Sequence, residues 1–377
     1  MTILIITSSY PAHENDVSSA AGLFIRDFAR ALVGFNHRVL VSVAARKESY
    51  LADPGIEIIP IAWQGGEGEL ASYPFSAPSS WPVLMQFFRS GSSVAKSIVA
   101  DHAVDRILCM WIVPAGIFGL AAHKKYGTPF DVWALGSDVW RIQKLPFGEF
   151  ILRRILRSAN NIFADGPDFA RLVGKIAHRP CLFLPSSRSL PRPKNPERYL
   201  RRKDRTHFLF VGRYHINKGP DLLVEAISML PAAVRERVWF DFFGYGHLRR
   251  QMEAVVDDHN LSECLAIHGT IEAQEFSDRL ATTDFLVIPS RIESIPVVLS
   301  DAMQRGVPVI ATDVGDMGSI IRRHDAGIVV SHPDPAGIRD GILKALELGR
   351  NIFLPGVALL ASEFDISAVA ERWLGSQ

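Results

Sequence analysis

The sequence is poor in the features that mark secreted, membrane-spanning and metal-binding proteins. Its 377 residues include only three cysteines, Cys109, Cys181 and Cys264, which lie far apart and form no metal-ligand motif. We therefore expect a reducing, cytoplasmic setting. The longest apolar stretch, residues 110–122, contains a proline and two glycines and is too short to span a bilayer. Residues 1–6 are too short an apolar run for a signal peptide and predict a first strand instead.

Other absences limit the function. The 41 basic and 40 acidic residues leave a formal net charge of +1, so no overall field attracts nucleic acid, and we expect no nucleic-acid partner. No Gly-x-Gly-x-x-Gly follows the first strand, which argues against a dinucleotide-dependent dehydrogenase. The sequence contains no Asp-x-Asp and no internal repeat. Its 48% hydrophobic and 21% charged residues are typical of a soluble globular protein, and its length predicts two or three domains.

The most informative stretch, residues 283–312, predicts a strand, a loop, a short helix and a second strand. Residues 285–288 are continuously apolar, as in a strand buried on both faces. Pro296 suits the first turn of a helix and Gly306 its end. Glu293 is therefore expected on a loop at the carboxyl end of a parallel strand, beside a helix N-terminus. Open α/β sheets bind ligands there, and free backbone N–H groups attract phosphate; the alternative for Glu293 is a solvated loop carboxylate.

A second unit of strand, turn and helix begins at residue 207. Residues 207–211, apolar after His207, predict a strand. A glycine-containing turn with Arg213 and Lys218 then precedes a helix over residues 221–229. Arginine offers a planar fork and lysine a point charge, both suited to phosphate. The turn is not a Walker loop, because the glycine spacing and the Lys-Ser/Thr pair are absent. Taken alone, two basic loop residues are more typical of a solvated surface.

The first half of the chain has the pattern of a doubly wound α/β domain. Gly22 opens an amphipathic helix after the first strand, and the strand over residues 130–134 ends in Leu135-Gly-Ser-Asp138. Asp138 is predicted to be the N-cap of the next helix, with a place in the substrate cleft as the alternative.

Residues 145–160 predict a basic amphipathic helix. Its apolar side carries Phe147, Ile151, Leu152, Ile155 and Leu156, and three arginines lie beside them. Such a helix usually packs on its own core, and docking on an anionic membrane is the alternative.

A stretch rich in Ser, Pro, Lys and Arg between residues 185 and 205 is the predicted domain boundary. The predicted organisation is an N-terminal domain over residues 1–190, a linker over 191–205, a C-terminal domain over 206–356, and a C-terminal tail over 357–377 that contains a helix.

Residues 283–312 resemble the signature of the retaining glycosyltransferases of family 4, also called glycosyl transferases group 1. The shared features, in chain order, are Pro-Ser, then Glu293, seven residues, the acid Asp301, Ala-Met and Gly-x-Pro-Val. The turn with Arg213 and Lys218 resembles a second motif of the family, Gly-Arg…Lys-Gly. The resemblance implies the GT-B fold, with two Rossmann-like doubly wound domains facing an interdomain cleft and the tail helix crossing back to the N-terminal domain.

The resemblance also implies an activity. A hexosyltransferase of this kind moves a sugar with retention from a UDP- or GDP-linked donor to a hydroxyl of a glycan or lipid-linked acceptor in polysaccharide biosynthesis. The acceptor is expected mainly on the first domain and the donor on the second. No cofactor is implied, and the missing Asp-x-Asp fits metal-independent transfer. The implied location is the cytoplasm, at the inner face of the membrane if the basic helix docks there.

Site residues follow from the same resemblance. Glu293 is expected to hold the sugar, and Arg213 and Lys218 to hold the diphosphate and offset its charge as it leaves. The positions implied for donor binding are Gly22, Gly244, Ile295, Val297, Val298 and Asp301.

Two departures from the family pattern leave other functions open. Leu135 stands where the family commonly has a histidine that faces the reacting sugar, and Asp301 stands where it usually has glutamate. They motivate a catalytically degenerate binding subunit as an alternative. A nucleotide-sugar epimerase on the same architecture is a second alternative, although it needs acids and bases near the sugar, and the first half shows no obvious set.

Overall fold

The computed structural model describes residues 1–12, 16, 20–46, 50, 53–65, 73, 77–199 and 204–376. The chain divides into two compact units, which are described separately: unit 1 is Met1–Pro185 with Ile366–Gln377, and unit 2 is Ser186–Asp365. The sequence predicted divisions at 190, 205 and 356 instead. The described residues of the predicted linker 191–205 all belong to unit 2, and residues 200–203 lie outside the described part.

Unit 1 contains a sheet of seven parallel strands in the order β3-β2-β1-β4-β5-β6-β7. The strands are β1 (Thr2–Thr7), β2 (Arg38–Ala44), β3 (Ile56–Ile61), β4 (Arg106–Met110), β5 (Phe130–Ala134), β6 (Ile162–Ala164) and β7 (Leu182–Phe183). The helices are α1 (Ala20–Gly34), α2 (Trp81–His102), α3 (Ala115–Tyr126), α4 (Ser137–Ile142), α5 (Gly148–Ser158), α6 (Pro167–Ala177) and the tail helix α15 (Ile366–Leu374).

The sheet of unit 1 is covered on both faces, which explains its continuously apolar strands. Side chains alternate across β1, so that Leu4 and Ile6 join one core and Ile3 and Ile5 the other. Helices α2, α3, α5 and α6 cover the first face, and α1 and α15 cover the second. Unit 1 therefore has the doubly wound architecture that the sequence predicted.

Unit 2 contains six parallel strands in the order β10-β9-β8-β11-β12-β13. The strands are β8 (Thr206–Val211), β9 (Val238–Phe243), β10 (Leu265–Ile267), β11 (Phe285–Ile288), β12 (Val309–Thr312) and β13 (Gly327–Val330). The helices are α7 (Pro220–Ser228), α8 (Ala232–Arg235), α9 (Arg249–Asp258), α10 (Ala273–Leu280), α11 (Val297–Gln304), α12 (Met317–His324), α13 (Pro335–Leu348) and α14 (Leu354–Glu363).

The strand order of unit 2 reverses at β8. The chain first builds outwards through β9 and β10, and then returns to the other side of β8 to add β11. The loops that follow β8 and β11 therefore begin side by side at the edge of the sheet. The chain after β8 continues towards β9, and the chain after β11 continues towards β12, in the opposite direction. This is the topological switch point at which open α/β sheets bind ligands.

In the described part of the chain no single helix is long and apolar enough to cross a membrane. The bent pair formed by residues 350–363 and 366–374 meets the criteria by length and composition only. Its second member, α15, is buried in the core of unit 1 through Ile366, Val369, Ala370 and Trp373.

Candidate functional site

Two charged side chains meet at the switch point of unit 2. Lys218 follows β8 and Glu293 follows β11, and the Lys218 ammonium donates to a Glu293 carboxylate oxygen. The Lys218 side chain is 27% exposed and the Glu293 side chain 19% exposed, so both remain accessible from one side. Two residues that are 75 positions apart in sequence thus form one charged pair at the carboxyl edge of the sheet.

Glycines allow the loops of this site to approach each other closely. Gly219 has a φ of +66°, and a Cβ there would overlap the carbonyl oxygen of Pro289 at the end of β11. Gly315, with a φ of +54°, follows β12, and a Cβ there would overlap the carbonyl oxygen of Glu293. Because both positions need a left-handed backbone and lack room for a side chain, glycine is required on both sides of the pair.

Arg291 braces the same two loops. Its guanidinium donates to both carboxylate oxygens of Asp221, at 2.9 and 2.6 Å, and to the carbonyl oxygen of Ile216 at 2.7 Å. Its backbone N–H donates to the carbonyl oxygen of Asn217 at 2.8 Å. These bonds tie the Glu293 loop to the Lys218 loop. The sequence analysis missed this role, and the only signal was a basic residue two positions before Glu293.

Arg213 lies on the loop that also carries Lys218. It is exposed, and its guanidinium has no hydrogen-bond partner among the described residues. Burial lowers the pKa of His215, and the neighbouring charges of Arg213, His247 and Lys218 lower it further. The three predicted catalytic residues therefore lie on two adjacent loops of one unit, with Lys218 and Glu293 in direct contact and Arg213 close to His215.

The N-terminus of α11 follows Glu293 directly. Pro296 is its N-cap, Val297 and Val298 form the half-buried first turn, and Ile295 is buried just before it. The first N–H groups of a helix lack partners within the helix, and its dipole favours an anion there. A helix end, a lysine and a carboxylate thus occur within one short stretch of the sheet edge.

Gly244, predicted to bind the donor, follows β9. A Cβ at this position would overlap the carbonyl oxygen of Gly212 in the loop after β8. The turn after β9 therefore packs directly on the turn that leads to Arg213. This packing is sufficient to require a glycine at position 244.

Asp301, which the family resemblance implies as a donor-binding position, lies on the helix that follows Glu293. Its side chain is fully buried on α11, and its two oxygens accept from Arg188 Nε at 2.9 Å and Arg188 Nη2 at 2.6 Å. Burial raises the pKa of Asp301, and the Arg188 guanidinium opposes that shift. The carboxylate belongs to an internal ion pair that fastens the beginning of unit 2 to α11.

Two predicted positions lie in unit 1. Gly22 is in α1, and a Cβ there would be 3.0 Å from the backbone N and Cα of Tyr10, so it packs tightly on the chain that leaves β1. Leu135 is half-buried after β5 and packs against the core that contains α1. Neither residue belongs to unit 2, where the charged pair lies.

Asp138 is not the N-cap that the sequence predicted, because α4 begins at Ser137 and its N-cap is Gly136. The buried carboxylate of Asp138 accepts from the backbone N–H of Ile112 at 2.6 Å and from that of Leu135 at 3.4 Å. Burial raises the pKa of Asp138 to about 6. Its role is to join the end of β4 to the end of β5.

No group of three or more His, Cys, Asp and Glu side chains in the described ranges is arranged to hold a metal ion.

Known proteins resemble the second unit in sequence. Residues 191–351 match the model of the family "Glycosyl transferases group 1". The D-inositol 3-phosphate glycosyltransferase of Xylanimonas cellulosilytica is 32% identical over 156 residues, which are 41% of this chain and 37% of that protein. An uncharacterized glycosyltransferase of Methanocaldococcus jannaschii is 24% identical over 253 residues, 67% of this chain and 68% of that protein. The match to the first of these spans little more than a third of its length.

Solved structures share the architecture over the whole chain. Sucrose-phosphate synthase from Thermosynechococcus elongatus superposes with a TM-score of 0.77 at 18% identity, covering 99% of this chain and 97% of that one. Anabaena HepE, solved in complex with UDP, superposes with a TM-score of 0.73 at 15% identity, covering 100% of this chain and 99% of that one. At such identities the likeness shows the fold alone. Residues 191–351 thus match the model of glycosyl transferases group 1, and the chain has the two Rossmann-like units of the GT-B fold.

Proposed function

We propose that this protein transfers a sugar from a nucleotide-diphosphate donor to a hydroxyl group of an acceptor. The observation that carries the proposal is the contact between Lys218 and Glu293 at the switch point of unit 2, beside the N-terminus of α11. One cation, one carboxylate and one helix end match the two chemistries of such a donor, its phosphate charge and its sugar hydroxyls.

A UDP- or GDP-linked sugar is the proposed donor. Support comes from the group 1 match of residues 191–351, and from fold neighbours solved with UDP-glucose or with UDP-2-fluoroglucose. In this arrangement Lys218 and Arg213 bind the diphosphate, and Glu293 accepts hydrogen bonds from the sugar. Unit 2 would hold the donor and unit 1 the acceptor.

The proposed reaction forms two bonds and breaks two. The acceptor oxygen bonds to the anomeric carbon of the sugar while the bond from that carbon to the phosphate oxygen breaks, with retention of configuration. The acceptor proton goes to the departing phosphate oxygen, so the step needs no protein base, and Leu135 is compatible with it. Lys218, Arg213 and the α11 N-terminus stabilise the charge on the leaving diphosphate without a metal ion.

The proposed acceptor is a glycan or a lipid-linked saccharide, and the proposed donor sugar is a hexose. The amylovoran biosynthesis glycosyltransferase AmsK of Erwinia amylovora is 27% identical over 175 residues, and it supports a role in polysaccharide biosynthesis. We propose that the protein is cytoplasmic, and that it lies at the inner face of the membrane if the basic helix over residues 145–160 docks there.

The test is turnover of purified protein with a panel of UDP- and GDP-linked hexoses, measured as release of nucleoside diphosphate with and without candidate acceptors. Lys218→Met should lower donor turnover at least about tenfold, equivalent to about 1.4 kcal/mol in the barrier. Glu293→Gln should lower it similarly, because the amide has one acceptor oxygen in place of two.

Matched controls lie on α13 in the same unit. Lys344→Met and Glu347→Gln change exposed side chains far from the switch point along the chain and should keep wild-type turnover. Wild-type rates in Lys218→Met and Glu293→Gln would remove both residues from the site. Nucleotide binding without turnover would support a binding subunit, and isomerisation of the free sugar would support an epimerase.

A further inference from the structure

Helix α5 divides its apolar residues between the core and the surface. Leu152, Ile155 and Leu156 are buried in the core of unit 1, as the sequence predicted for a helix that packs on its own domain. Phe147 and Phe150 are 83% and 62% exposed, and Ile151 is 39% exposed. These three residues, here called the α5 tip, form an apolar group at the beginning of the helix that the core does not cover.

Positive charge surrounds the α5 tip. Between residues 141 and 157 the sequence has five basic residues and one acidic residue, although the net charge of the whole chain is only +1. The single acid, Glu149, pairs with Arg153. The other four basic side chains are exposed and have no acidic partner among the described residues; they are Arg141, Lys144, Arg154 and Arg157.

A second exposed apolar pair lies at the same edge of the sheet. Trp81 and Met85 are 58% and 51% exposed in the first turns of α2, with Arg89 exposed one turn further on. In a parallel α/β sheet each crossover helix runs back against the strands, so helix N-termini lie at the carboxyl ends of the strands. The beginnings of α2 and α5 therefore lie at one edge and on one face of the sheet of unit 1.

We propose that this edge of unit 1 docks on the surface of a lipid bilayer that contains anionic lipids. Aromatic and aliphatic side chains ringed by arginine and lysine are the composition of an interfacial membrane contact: the apolar groups enter the boundary of the acyl chains, and the cations face the headgroups. A protein partner would need acidic groups to balance four uncompensated cations, and a second copy of this chain offers the same positive charge.

The proposal goes beyond sugar transfer and is independent of it, because vesicle binding needs no donor. It gives the proposed lipid-linked acceptor a physical route to the protein: docking places the carboxyl edge of unit 1 at the level of the headgroups. The two proposals can fail separately, since nucleoside diphosphate release is measured without vesicles and vesicle binding without a nucleotide sugar.

The experiment is co-sedimentation of the full chain with two kinds of vesicle, one of phosphatidylcholine alone and one of phosphatidylcholine and phosphatidylglycerol in equal parts. We expect binding to the anionic vesicles that weakens with added salt. The double variant Phe147→Ser, Phe150→Ser should lower the partition coefficient at least about tenfold, since each lost side chain removes apolar burial. The variant Lys144→Glu, Arg154→Glu should lower it about as much, because each lost cation is worth about fivefold.

The matched control is Leu359→Ser on α14 of unit 2, a residue that is 65% exposed and lies in a stretch, residues 351–371, with no lysine or arginine. It should bind vesicles like the wild type. All variants should keep the wild-type thermal unfolding midpoint, because the changed side chains are exposed.

Three results would overturn the proposal. They are equal binding of the wild type to both kinds of vesicle, unchanged binding of both double variants, and a dimer in solution that the Phe147→Ser, Phe150→Ser variant dissociates. The last result would show that the α5 tip contacts a second copy instead of a membrane.

Discussion

At the scale of single residues, Lys218 and Glu293 have more hydrogen-bonding capacity than their mutual contact uses. An ammonium group has three donors, and a carboxylate has about four acceptor positions. One contact holds each side chain in place while leaving the rest of that capacity directed to the open side, since both residues are partly exposed. The contact between Lys218 and Glu293 can therefore orient both side chains and still leave them able to bind a phosphate and a sugar.

Asp138 shows how one buried residue can affect stability. Because its pKa is raised to about 6, the folded protein holds this proton more tightly than the unfolded chain, whose carboxyl titrates near 3.8. The contribution of Asp138 to the free energy of unfolding therefore falls as the pH rises from about 4 to about 6.5, by up to about 3 kcal/mol. Urea unfolding of wild type and Asp138→Asn across this range measures it. The difference in unfolding free energy, wild type minus variant, should decrease with pH, and parallel profiles would contradict the assignment.

At the scale of elements, the site depends on how closely the loops after β8, β11 and β12 pack. Gly219 and Gly315 have left-handed backbones against carbonyl groups of the β11 loop, and Arg291 bonds the β8 and β11 loops together. Three loops of the sheet thus position Lys218 and Glu293, and a change in any of these loops should alter the geometry of the pair.

The close approach at Gly315 gives a prediction with a matched control. Gly315→Ala adds a methyl group that overlaps the Glu293 carbonyl oxygen, whereas Gly306→Ala, at a similar φ of +68°, meets no atom within 4 Å. Gly306→Ala should therefore cost only the backbone strain of about 1–2 kcal/mol. Gly315→Ala should lower the thermal midpoint further and weaken donor binding in calorimetric titration. Equal effects of the two variants would show that the backbone near residue 315 can accommodate the added methyl group without loss of stability or donor binding.

The Arg291 brace gives a second prediction at this scale. Arg291→Lys keeps the charge but cannot form the two parallel hydrogen bonds to Asp221. We expect donor turnover to fall about tenfold, equivalent to about 1.4 kcal/mol, because the Glu293 loop is less well fixed on the Lys218 loop. Steady-state kinetics measures this effect. The control is Arg322→Lys, whose partner Asp313 is partly exposed and whose own side chain is 53% exposed; a similar loss in the control would argue against a special role for the brace.

At the scale of the whole molecule, the chain leaves unit 1 once and returns to it at its tail. The Arg188–Asp301 pair fastens the entry into unit 2, and Gln304 at the end of α11 and its C-cap Arg305 donate hydrogen bonds to the same segment. Helix α15 then completes the α1 face of unit 1. Unit 1 is thus completed by chain that is distant in sequence from its main body, whereas unit 2 is one continuous segment.

Trp373 is the residue that makes the tail structurally important. It is fully buried, its ring lies 5.9 Å from that of Phe28, and the Arg106 guanidinium lies 4.1 Å from its centroid. Trp373→Ala should cost about 3–5 kcal/mol, because it leaves a large cavity between α15 and α1. A lower thermal midpoint with retained binding of nucleoside diphosphate is the expected outcome, and Leu359→Ala on the exposed side of α14 is the control. A midpoint equal to that of the wild type would show that the tail contributes little to unit 1.

Much of the fold and part of the site follow from local patterns. Nearly continuous apolar runs predict β1, β8 and β11, because a strand that is covered on both faces has no side exposed to solvent and so carries few polar residues. Both Lys218 and Glu293 follow predicted parallel strands, so the sequence predicts them on loops at the carboxyl edge of a sheet. The fold class follows from the alternation of strands and helices. The brace at Arg291 could not be predicted, because an arginine in a loop has no pattern that reveals its partner.

The sequence by itself determined where strands end and which charged side chains follow them, because these properties depend on neighbouring residues. Only the tertiary structure decided which of those side chains meet. The family resemblance implies Asp301 as a donor-binding position, and only the fold shows that it pairs with Arg188, 113 positions away. The same holds for α5. Its periodicity predicts Phe147, Ile151 and Leu152 on one apolar side, but of these three residues only Leu152 is buried in the core. The reason in both cases is that burial and pairing depend on residues far apart in the chain.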